Sequence, residues 1–122
     1  MKVIIAGTRS ISVMPSDIES YLSEHLNSIT EIVSGGAKGV DSSGEEFAKS
    51  KGIKIVRFLP DWNSYGKSAG PIRNRSMAKY GDLLLLIWDG SSKGSANMKA
   101  EMKKLGKPVI EIIGGVIHDN NQ

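Results

Sequence analysis

The sequence contains no cysteine and only two histidines, His25 and His118. Without cysteine, the chain has no disulfide scaffold, no cysteine-ligated zinc site and no thiol nucleophile. The two histidines belong to no recognisable metal-binding motif, which also argues against a multi-histidine metal site. Aromatic residues make up only 6% of the chain, and this scarcity disfavours a stacking surface for single-stranded nucleic acid.

Long hydrophobic runs are also missing. The longest apolar run covers residues 83–88, far below the roughly 20 residues that a membrane-spanning helix requires. The apolar run at the N-terminus breaks at Gly7, so we expect no signal peptide. The sequence therefore predicts a cytoplasmic protein that makes no use of a membrane.

The composition is that of an ordinary globular protein. The 122 residues are 39% hydrophobic and 24% charged, which suits one domain with its own core. A net charge of +3 and a pI near 9.2 favour anionic partners, though only weakly. Nucleotides and nucleic acids both meet that condition.

A glycine-rich stretch at residues 32–41 (Ile-Val-Ser-Gly-Gly-Ala-Lys-Gly-Val-Asp) is the feature around which the other motifs are arranged. An apolar run ends there in glycines, and a helix-compatible segment follows at once. This order is typical of a strand that leads into a phosphate-binding loop, in which backbone N–H groups and a helix N-terminus face an anion. The spacing is not that of a Walker A loop. A tight turn without any ligand is the alternative.

Apolar runs and helical segments alternate along the chain. We predict five strands, at residues 3–6, 31–34, 54–58, 83–88 and 108–113, and four helices, at 15–27, 42–51, 71–80 and from 95 or 97 to 105. We expect residues 63–70 to be a surface loop, and residues 114–122 a polar C-terminal tail after a domain spanning 1–113. Such alternation predicts an α/β fold with a mostly parallel five-stranded sheet.

The loops that follow parallel strands converge on one edge of the sheet, where open α/β sheets bind ligands. We therefore expect the motifs after the strands, together with one helix start, to form a single site. The candidate ligand-binding residues are Gly7, Thr8, Arg9, Gly35, Gly36, Lys38, Gly39, Asp41, Asp61, Trp62, Arg73, Asn74, Asp89, Gly90, Gly94 and Ser95.

Several of these residues can contact the phosphates of a ligand. The loop glycines would offer backbone N–H groups, and Lys38 would add a charge unless it is an ordinary solvated side chain. Thr8 and Arg9 could donate to phosphate, although Arg9 could instead form a surface ion pair. Asp89 and Gly90 would lie near a second phosphate or a ribose.

Three side chains have two or more interpretations. Asp41 could accept hydrogen bonds from ribose hydroxyls, ligate a metal, or cap a helix. Arg73, near a helix start where a cation opposes the helix dipole, could bind phosphate or pair with Asp61 or Asp89. Trp62 could stack on a base or simply pack beside a loop.

Four motifs in this order resemble the YspA-like family of the SLOG superfamily. They are Gly7-Thr8-Arg9, residues 34–41 (Ser-Gly-Gly-Ala-x-Gly-x-Asp), residues 61–74 (Asp-Trp-x-x-x-Gly-Lys-x-Ala-Gly-Pro-Ile-Arg-Asn) and residues 88–94 (Trp-Asp-Gly-x-Ser-x-Gly). The resemblance covers about residues 1–113. It implies a single-domain Rossmann-like three-layer sandwich, related to LOG-type proteins and to the DprA fold, that binds nucleotides or nucleotide-derived ligands. It also implies a homo-oligomer.

The resemblance to LOG enzymes, which cleave the base from nucleoside 5′-monophosphates, stops at their catalytic acid. Arg73 lies where their arginine would, and Gly94 with Ser95 where their motif has Gly-Thr. The position of the catalytic glutamate falls on Met98, and Glu101 is one helical turn further on. A thioether can act neither as an acid nor as a base.

The sequence therefore predicts a domain that binds a nucleotide or nucleotide-derived ligand as a sensor or sequestering protein. The alternative is a nucleotide hydrolase that cleaves a glycosidic or phosphoester bond with Asp41, Asp61 or Asp89, for which Mg²⁺ is the candidate cofactor. Whether the protein is an enzyme stays open. Single-stranded nucleic-acid binding is a lesser alternative, and nucleic acid is a disfavoured partner because the positive charge is spread along the chain.

Overall fold

The computed structural model describes residues 1–114 and the backbone of residues 116–119, which together form one six-stranded sheet with helices on both faces. The strand order is β3-β2-β1-β4-β5-β6. The first five strands in sequence are parallel, and β6 runs antiparallel to β5. The strands are β1 (Lys2–Gly7), β2 (Glu31–Ser34), β3 (Lys54–Arg57), β4 (Leu83–Trp88), β5 (Val109–Ile113) and β6 (Val116–Asp119). The predicted α/β fold with five parallel strands is confirmed.

The helices connect consecutive parallel strands, as a right-handed α/β topology requires. They are α1 (Pro15–Tyr21), α2 (Val40–Lys51), the short α3 (Trp62–Tyr65), α4 (Ala69–Tyr80) and α5 (Lys93–Lys104), with single 3-10 turns at Leu26–Ser28 and Gly66–Ser68. Within the described part of the chain, no helix is long and apolar enough to cross a membrane.

Two hydrophobic clusters, one on each face of the sheet, make up the core. Ile18 of α1 and Phe47 of α2 pack against one face, and Met77 of α4 and Met98 of α5 pack against the other. All six residues of β4 are buried, because a central parallel strand has helices over both of its faces. This arrangement is the three-layer sandwich that the sequence predicts.

Three stretches differ from the prediction. The helix predicted over residues 15–27 ends at Tyr21, because the hydrogen bonds from His25 N–H to Leu22 O and from Ser28 N–H to His25 O span only three residues. The predicted loop at 63–70 contains most of α3, a 3-10 turn and the start of α4.

The third difference concerns the predicted polar tail. Its residues Val116–Asp119 form β6, which extends the sheet beyond residue 113 by pairing with β5. Residues 116–119 gain backbone hydrogen bonds by pairing with the edge of β5. The sequence analysis, which treated this segment as a polar tail, did not predict this pairing. The remaining tail residues, 115 and 120–122, lie outside the described residues.

The strand order places β1 beside β4 at the centre of the sheet. The chain leaves β1 toward α1 on one face, and it leaves β4 toward α5 on the other face. The loops after these two strands therefore diverge and leave a crevice between them. A crevice of this kind is where open α/β sheets bind their ligands.

Candidate functional site

A cavity of about 390 Å³ lies in the crevice beyond β1 and β4. That volume is within the range of small-molecule sites in proteins. Four segments line it: the end of β1 and its loop, the glycine-rich stretch at residues 32–41 (the glycine loop), α4, and the start of α5. The lining residues are Ala6, Gly7, Thr8, Arg9, Ser10, Ala37, Asp41, Arg73, Asn74, Met77, Ser92, Gly94, Ser95 and Met98.

A second cavity of about 360 Å³ lies on the other side of the glycine loop. It is bounded by that loop, by the segment after β3, and by α3. The two cavities share Arg9, Ala37 and Arg73, so they adjoin each other. The lining residues of the second cavity are Arg9, Gly35, Gly36, Ala37, Lys38, Leu59, Pro60, Trp62 and Arg73.

The glycine loop takes its shape from close contacts with the loop after β1. Gly39 has φ +75°, and a Cβ atom built on it would lie 2.3 Å from the carbonyl oxygen of Arg9. Only glycine tolerates both this conformation and this approach. The Val40 N–H also donates to Thr8 O at 3.4 Å. These contacts hold the two loops against each other. A site that is lined by both loops requires such a fixed arrangement.

Part of the backbone of this loop is engaged by its own side chains. The Gly36 N–H donates to Ser34 Oγ at 3.0 Å, and the Ala37 N–H donates to Asp41 Oδ2 at 3.2 Å. Within the described residues, the N–H groups of Lys38 and Gly39 have no hydrogen-bond acceptor. The backbone donors left for an anion therefore include those at the start of α2, and the N–H of Gly36 is not among them.

Asp41 lies in the first turn of α2 and is 5% exposed. The helix is capped by Gly39, and the Asp41 carboxylate folds back onto the Ala37 N–H instead of capping the helix itself. Burial raises the pKa of this carboxyl above its ordinary value, and the Ala37 N–H and the charge of Arg73 only partly oppose that effect. Of all carboxylates in the described residues, Asp41 is the only one that lines either cavity.

The raised pKa of Asp41 gives a testable dependence of stability on pH. Because folding raises this pKa, the carboxyl favours the folded state most when it is protonated, below its ordinary pKa of 3.8. This contribution is lost as the pH rises through the raised pKa. We expect the stability of Asp41→Asn relative to the unsubstituted protein to increase over that window and then to level off. Urea unfolding of both proteins at several pH values measures this; a relative stability that falls with rising pH would contradict it.

Arg73 lies between the two cavities and is half-buried. Its Nη1 donates to Gly35 O at 2.6 Å and more weakly to Phe58 O at 3.4 Å, and its Nε donates to Asn74 Oδ1 at 2.9 Å. Because α4 begins at Ala69, Arg73 is in the second turn of the helix and not in the first.

The guanidinium of Arg73 has no carboxylate within 4 Å among the described residues. Burial lowers its pKa, the charge of Asp41 opposes that change, and the nearby charge of Arg9 adds to it. An arginine stays protonated in spite of such a change. The site therefore contains a partly desolvated cation whose neighbouring hydrogen-bond partners are uncharged oxygens, and this favours an anionic ligand.

Asp61 and Asp89 are not partners of Arg73. Asp61 caps α3 by accepting the Ser64 N–H at 3.1 Å. Asp89 accepts the N–H groups of Ser91 and Ser92 at 2.9 and 2.8 Å, and these bonds lower its pKa. Both aspartates are exposed and line neither cavity, and the same holds for Gly90.

Thr8 and Asn74 join the segments that surround the first cavity. Thr8 Oγ1 lies 3.1 Å from Ser92 Oγ and accepts the Asp89 N–H at 3.1 Å, so it ties the loop after β1 to the loop after β4. Asn74 Nδ2 donates to Gly94 O at 3.3 Å and to Asn97 Oδ1 at 2.9 Å. These two side chains therefore link the segments that line the cavity, whether or not they contact a ligand.

The position of the LOG catalytic acid falls on a residue that lines the first cavity. Met98 is there, almost fully buried. Glu101 is buried one turn further along α5, with Lys104 at 3.3 Å and Arg75 at 3.7 Å, and lines neither cavity. The described residues also contain no group of three His, Asp or Glu side chains that could hold a metal ion.

The sequence analysis included most of the residues that line the two cavities in its single predicted site, and it missed the others. Ser10 and Ser92 adjoin motifs that were recognised, so motif adjacency could have found them. Leu59 and Pro60 follow β3, so their position at the C-terminal edge of the sheet could have identified them as site residues. Ala37 belongs to the recognised motif at residues 34–41, so its place in that motif could have found it. Met77 carries no functional pattern, and only the packing of α4 beside the glycine loop brings it to the site.

Comparisons with known proteins agree with this architecture. Residues 1–65 match the model of the family described as "YspA, cpYpsA-related SLOG family". Gene 61 protein of Mycobacterium phage D29 is 35% identical over 85 residues, which cover 65% of this chain and 68% of that protein.

A solved structure shows the same fold. The X-ray structure of DNA processing protein A (DprA) from Streptococcus pneumoniae matches 94% of this chain with a TM-score of 0.74 and 21% sequence identity. The chain spans 51% of that DprA chain, or about half its length. At this identity, the likeness concerns the fold alone.

Proposed function

Because this chain belongs to the YspA- and cpYpsA-related SLOG family, we propose that it binds a nucleotide or nucleotide-derived ligand as a sensor or sequestering domain. Membership of the family suggests nucleotide-related binding or processing in general. The finer assignment rests on the site: the phosphate would lie at the glycine loop, between the two cavities, at the C-terminal edge of the sheet. The expected homo-oligomer stays a prediction.

The observation that carries the proposal is the position of Arg73. Its guanidinium is half-buried, has no carboxylate within 4 Å among the described residues, and lies where the two cavities meet. Arg9 lines the same junction and is exposed. Two cations at one junction repel each other, and a phosphate between them would remove that repulsion while accepting charge-assisted hydrogen bonds.

The start of α2 supports the same location for the phosphate. The N–H groups of Lys38 and Gly39 have no acceptor within the described residues, and they lie at the N-terminal end of a twelve-residue helix. Lys38 lines the second cavity, whereas Gly39 lines neither cavity and contributes through the helix start alone. Such donors, together with the helix dipole, favour an anion by about 0.3–1 kcal/mol for each exposed interaction.

A nucleotide hydrolase is the second candidate, and the buried carboxyl of Asp41 in the first cavity favours it. A carboxyl with a raised pKa is suited to donate a proton to a leaving group. Asp61 and Asp89, which cap turns outside the cavities, lend it no support. With Met98 in the position of the LOG acid, binding without turnover is the simpler assignment.

Thermal unfolding with adenosine 5′-monophosphate, adenosine and inorganic phosphate tests the proposal. We expect the monophosphate to raise the melting temperature most; a ligand at a hundred times its Kd stabilises a protein by about 2.7 kcal/mol. Arg9→Ala should weaken this binding about tenfold, because an exposed arginine that lines the cavities supplies charge to the ligand. Its melting temperature without ligand should not change.

Arg75→Ala is the matched control. Arg75 is exposed on α4 and lines neither cavity, and its contact with Glu101 is 3.7 Å long. We expect this variant to bind the monophosphate as the unsubstituted protein does. If millimolar monophosphate leaves the melting temperature of the unsubstituted protein unchanged, the proposal is wrong.

A further inference from the structure

Ser34 is buried at the end of β2, within the glycine loop and directly before its two adjacent glycines. Its hydroxyl donates to Glu45 Oε2 at 2.8 Å and accepts the Gly36 N–H at 3.0 Å. We propose that Glu45 is a positioning residue of the candidate site and acts through Ser34. By fixing the direction of the Ser34 hydroxyl, it holds the orientation of the Gly35–Gly36 peptide group. This inference rests on the proposed function and adds the residue that keeps the loop in its binding conformation.

The direction of these hydrogen bonds follows from the charge of Glu45. Arg57 on β3 donates to Glu45 Oε1 from two nitrogens, Nε at 3.0 Å and Nη2 at 2.7 Å. The bonds from Arg57 lower the pKa of the Glu45 carboxyl against the opposing effect of its burial, and the bond from Ser34 lowers it further. An ionised carboxylate only accepts hydrogen bonds, so the single proton of the Ser34 hydroxyl points to Glu45. Its lone pairs are left for the Gly36 N–H.

The peptide group that this hydroxyl engages is held at its other end by Arg73. The Gly36 N–H and the Gly35 carbonyl oxygen belong to one peptide plane, and that oxygen accepts a hydrogen bond from Arg73 Nη1 at 2.6 Å. Gly36 has φ +74°, and neither glycine has a side chain that could restrain the plane. The two hydrogen bonds therefore decide its orientation, since a half-turn of the plane would break both.

The orientation of this plane in turn sets the position of Arg73 where the two cavities meet. Nη1 donates to Gly35 O and Nε donates to Asn74 Oδ1 at 2.9 Å, whereas Nη2 has no acceptor among the described residues. Nη2 is therefore the guanidinium nitrogen left to donate to a phosphate. If the plane rotates, Arg73 loses its shortest contact and a smaller fraction of the protein has the site preformed. The apparent affinity falls with that fraction.

Glu45 lines neither cavity, so its effect on a ligand has to pass through the loop. In Glu45→Gln, the side-chain oxygen stays with Arg57 and the NH₂ group faces Ser34, so that a donor replaces an acceptor. Glu46→Gln is the matched control. Glu46 follows on α2, is exposed, and has no hydrogen bond or ion pair among the described residues. Both substitutions remove one negative charge, which by itself would strengthen the binding of an anion.

Titration with adenosine 5′-monophosphate (AMP) tests this relay as a double-mutant cycle. We expect Ser34→Ala to weaken binding about tenfold and Glu45→Gln about fivefold, because each lowers the fraction of preformed sites. Since Glu45 acts through Ser34, the double variant should bind as Ser34→Ala does, and not about fiftyfold more weakly. Glu46→Gln should bind AMP at least as tightly as the unsubstituted protein.

Amide hydrogen exchange at Gly36 adds a measurement that needs no ligand. We expect it to be about fivefold faster in Glu45→Gln and unchanged in Glu46→Gln, and this decides the question even if Ser34→Ala does not fold. Unchanged exchange or normal AMP binding in Glu45→Gln, or additive losses in the cycle, would overturn this inference and leave the proposed function standing. If the unsubstituted protein does not bind AMP, the proposed function itself fails.

Discussion

Replacing Gly7 with alanine is expected to lower the free energy of unfolding by about 3–5 kcal/mol, among the largest effects of any single substitution. Gly7 ends β1 and is paired with Ile87 of β4 at the centre of the sheet. A Cβ atom built on it would lie 1.8 Å from the Ile87 carbonyl oxygen and 2.8 Å from the carbonyl carbon. Backbone atoms cannot move aside as a flexible side chain can, so the two central strands would have to separate.

Gly94→Ala is the matched control for this experiment. Gly94 also lines the first cavity, but it lies in the first turn of α5, and a Cβ atom there would meet no other atom within 4 Å. Alanine in a helix is favoured over glycine by roughly 0.5–1 kcal/mol, so this variant should be as stable as the unsubstituted protein or more so. Urea unfolding compares the two. A loss below about 1 kcal/mol for Gly7→Ala would contradict the packing described for the central strands.

Replacing Arg73 with alanine is expected to reduce the affinity for AMP at least hundredfold, which equals about 2.7 kcal/mol. The substitution removes the half-buried cation of the site, whereas Arg9→Ala removes an exposed one. It also leaves Gly35 O and Phe58 O without their donor and leaves the Asp41 carboxylate without a nearby positive charge. Stability should therefore fall as well, by about 1–3 kcal/mol for the unsatisfied acceptors.

Binding and stability can be separated by adding a conservative variant. Arg73→Lys keeps the charge but loses the planar fork that donates to Gly35 and Asn74 at the same time. We expect its affinity to lie between those of the alanine variant and the unsubstituted protein. Titration calorimetry at fixed ionic strength, with Arg75→Ala as the control on the same helix, measures the difference. An Arg73→Ala variant that is folded and binds AMP normally would exclude Arg73 from the phosphate site.

The candidate site was predictable where glycines and polar residues directly follow apolar runs. Gly7, Thr8 and Arg9 after β1 and the glycine loop after β2 were placed correctly at one sheet edge, because parallel strands bring their C-terminal ends together. Asp61 and Asp89 also follow strands, yet they lie outside both cavities. Each carboxylate instead accepts a hydrogen bond from a backbone N–H group three residues further along the chain. The sequence alone does not distinguish an aspartate with this local role from one that contacts a ligand.

By itself, the sequence determined the α/β class, the five parallel strands and the family, because apolar periodicity, glycine turns and motif spacing are local properties of the chain. Only the tertiary structure decided that Arg73 has neutral oxygens as partners, that Asp41 faces a cavity, and that β6 extends the sheet. The first two of these facts depend on residues far apart in sequence: Arg73 meets Gly35 across 38 positions. Side-chain partners and desolvation arise from packing, and the packing of α4 beside the glycine loop exists only in the folded protein.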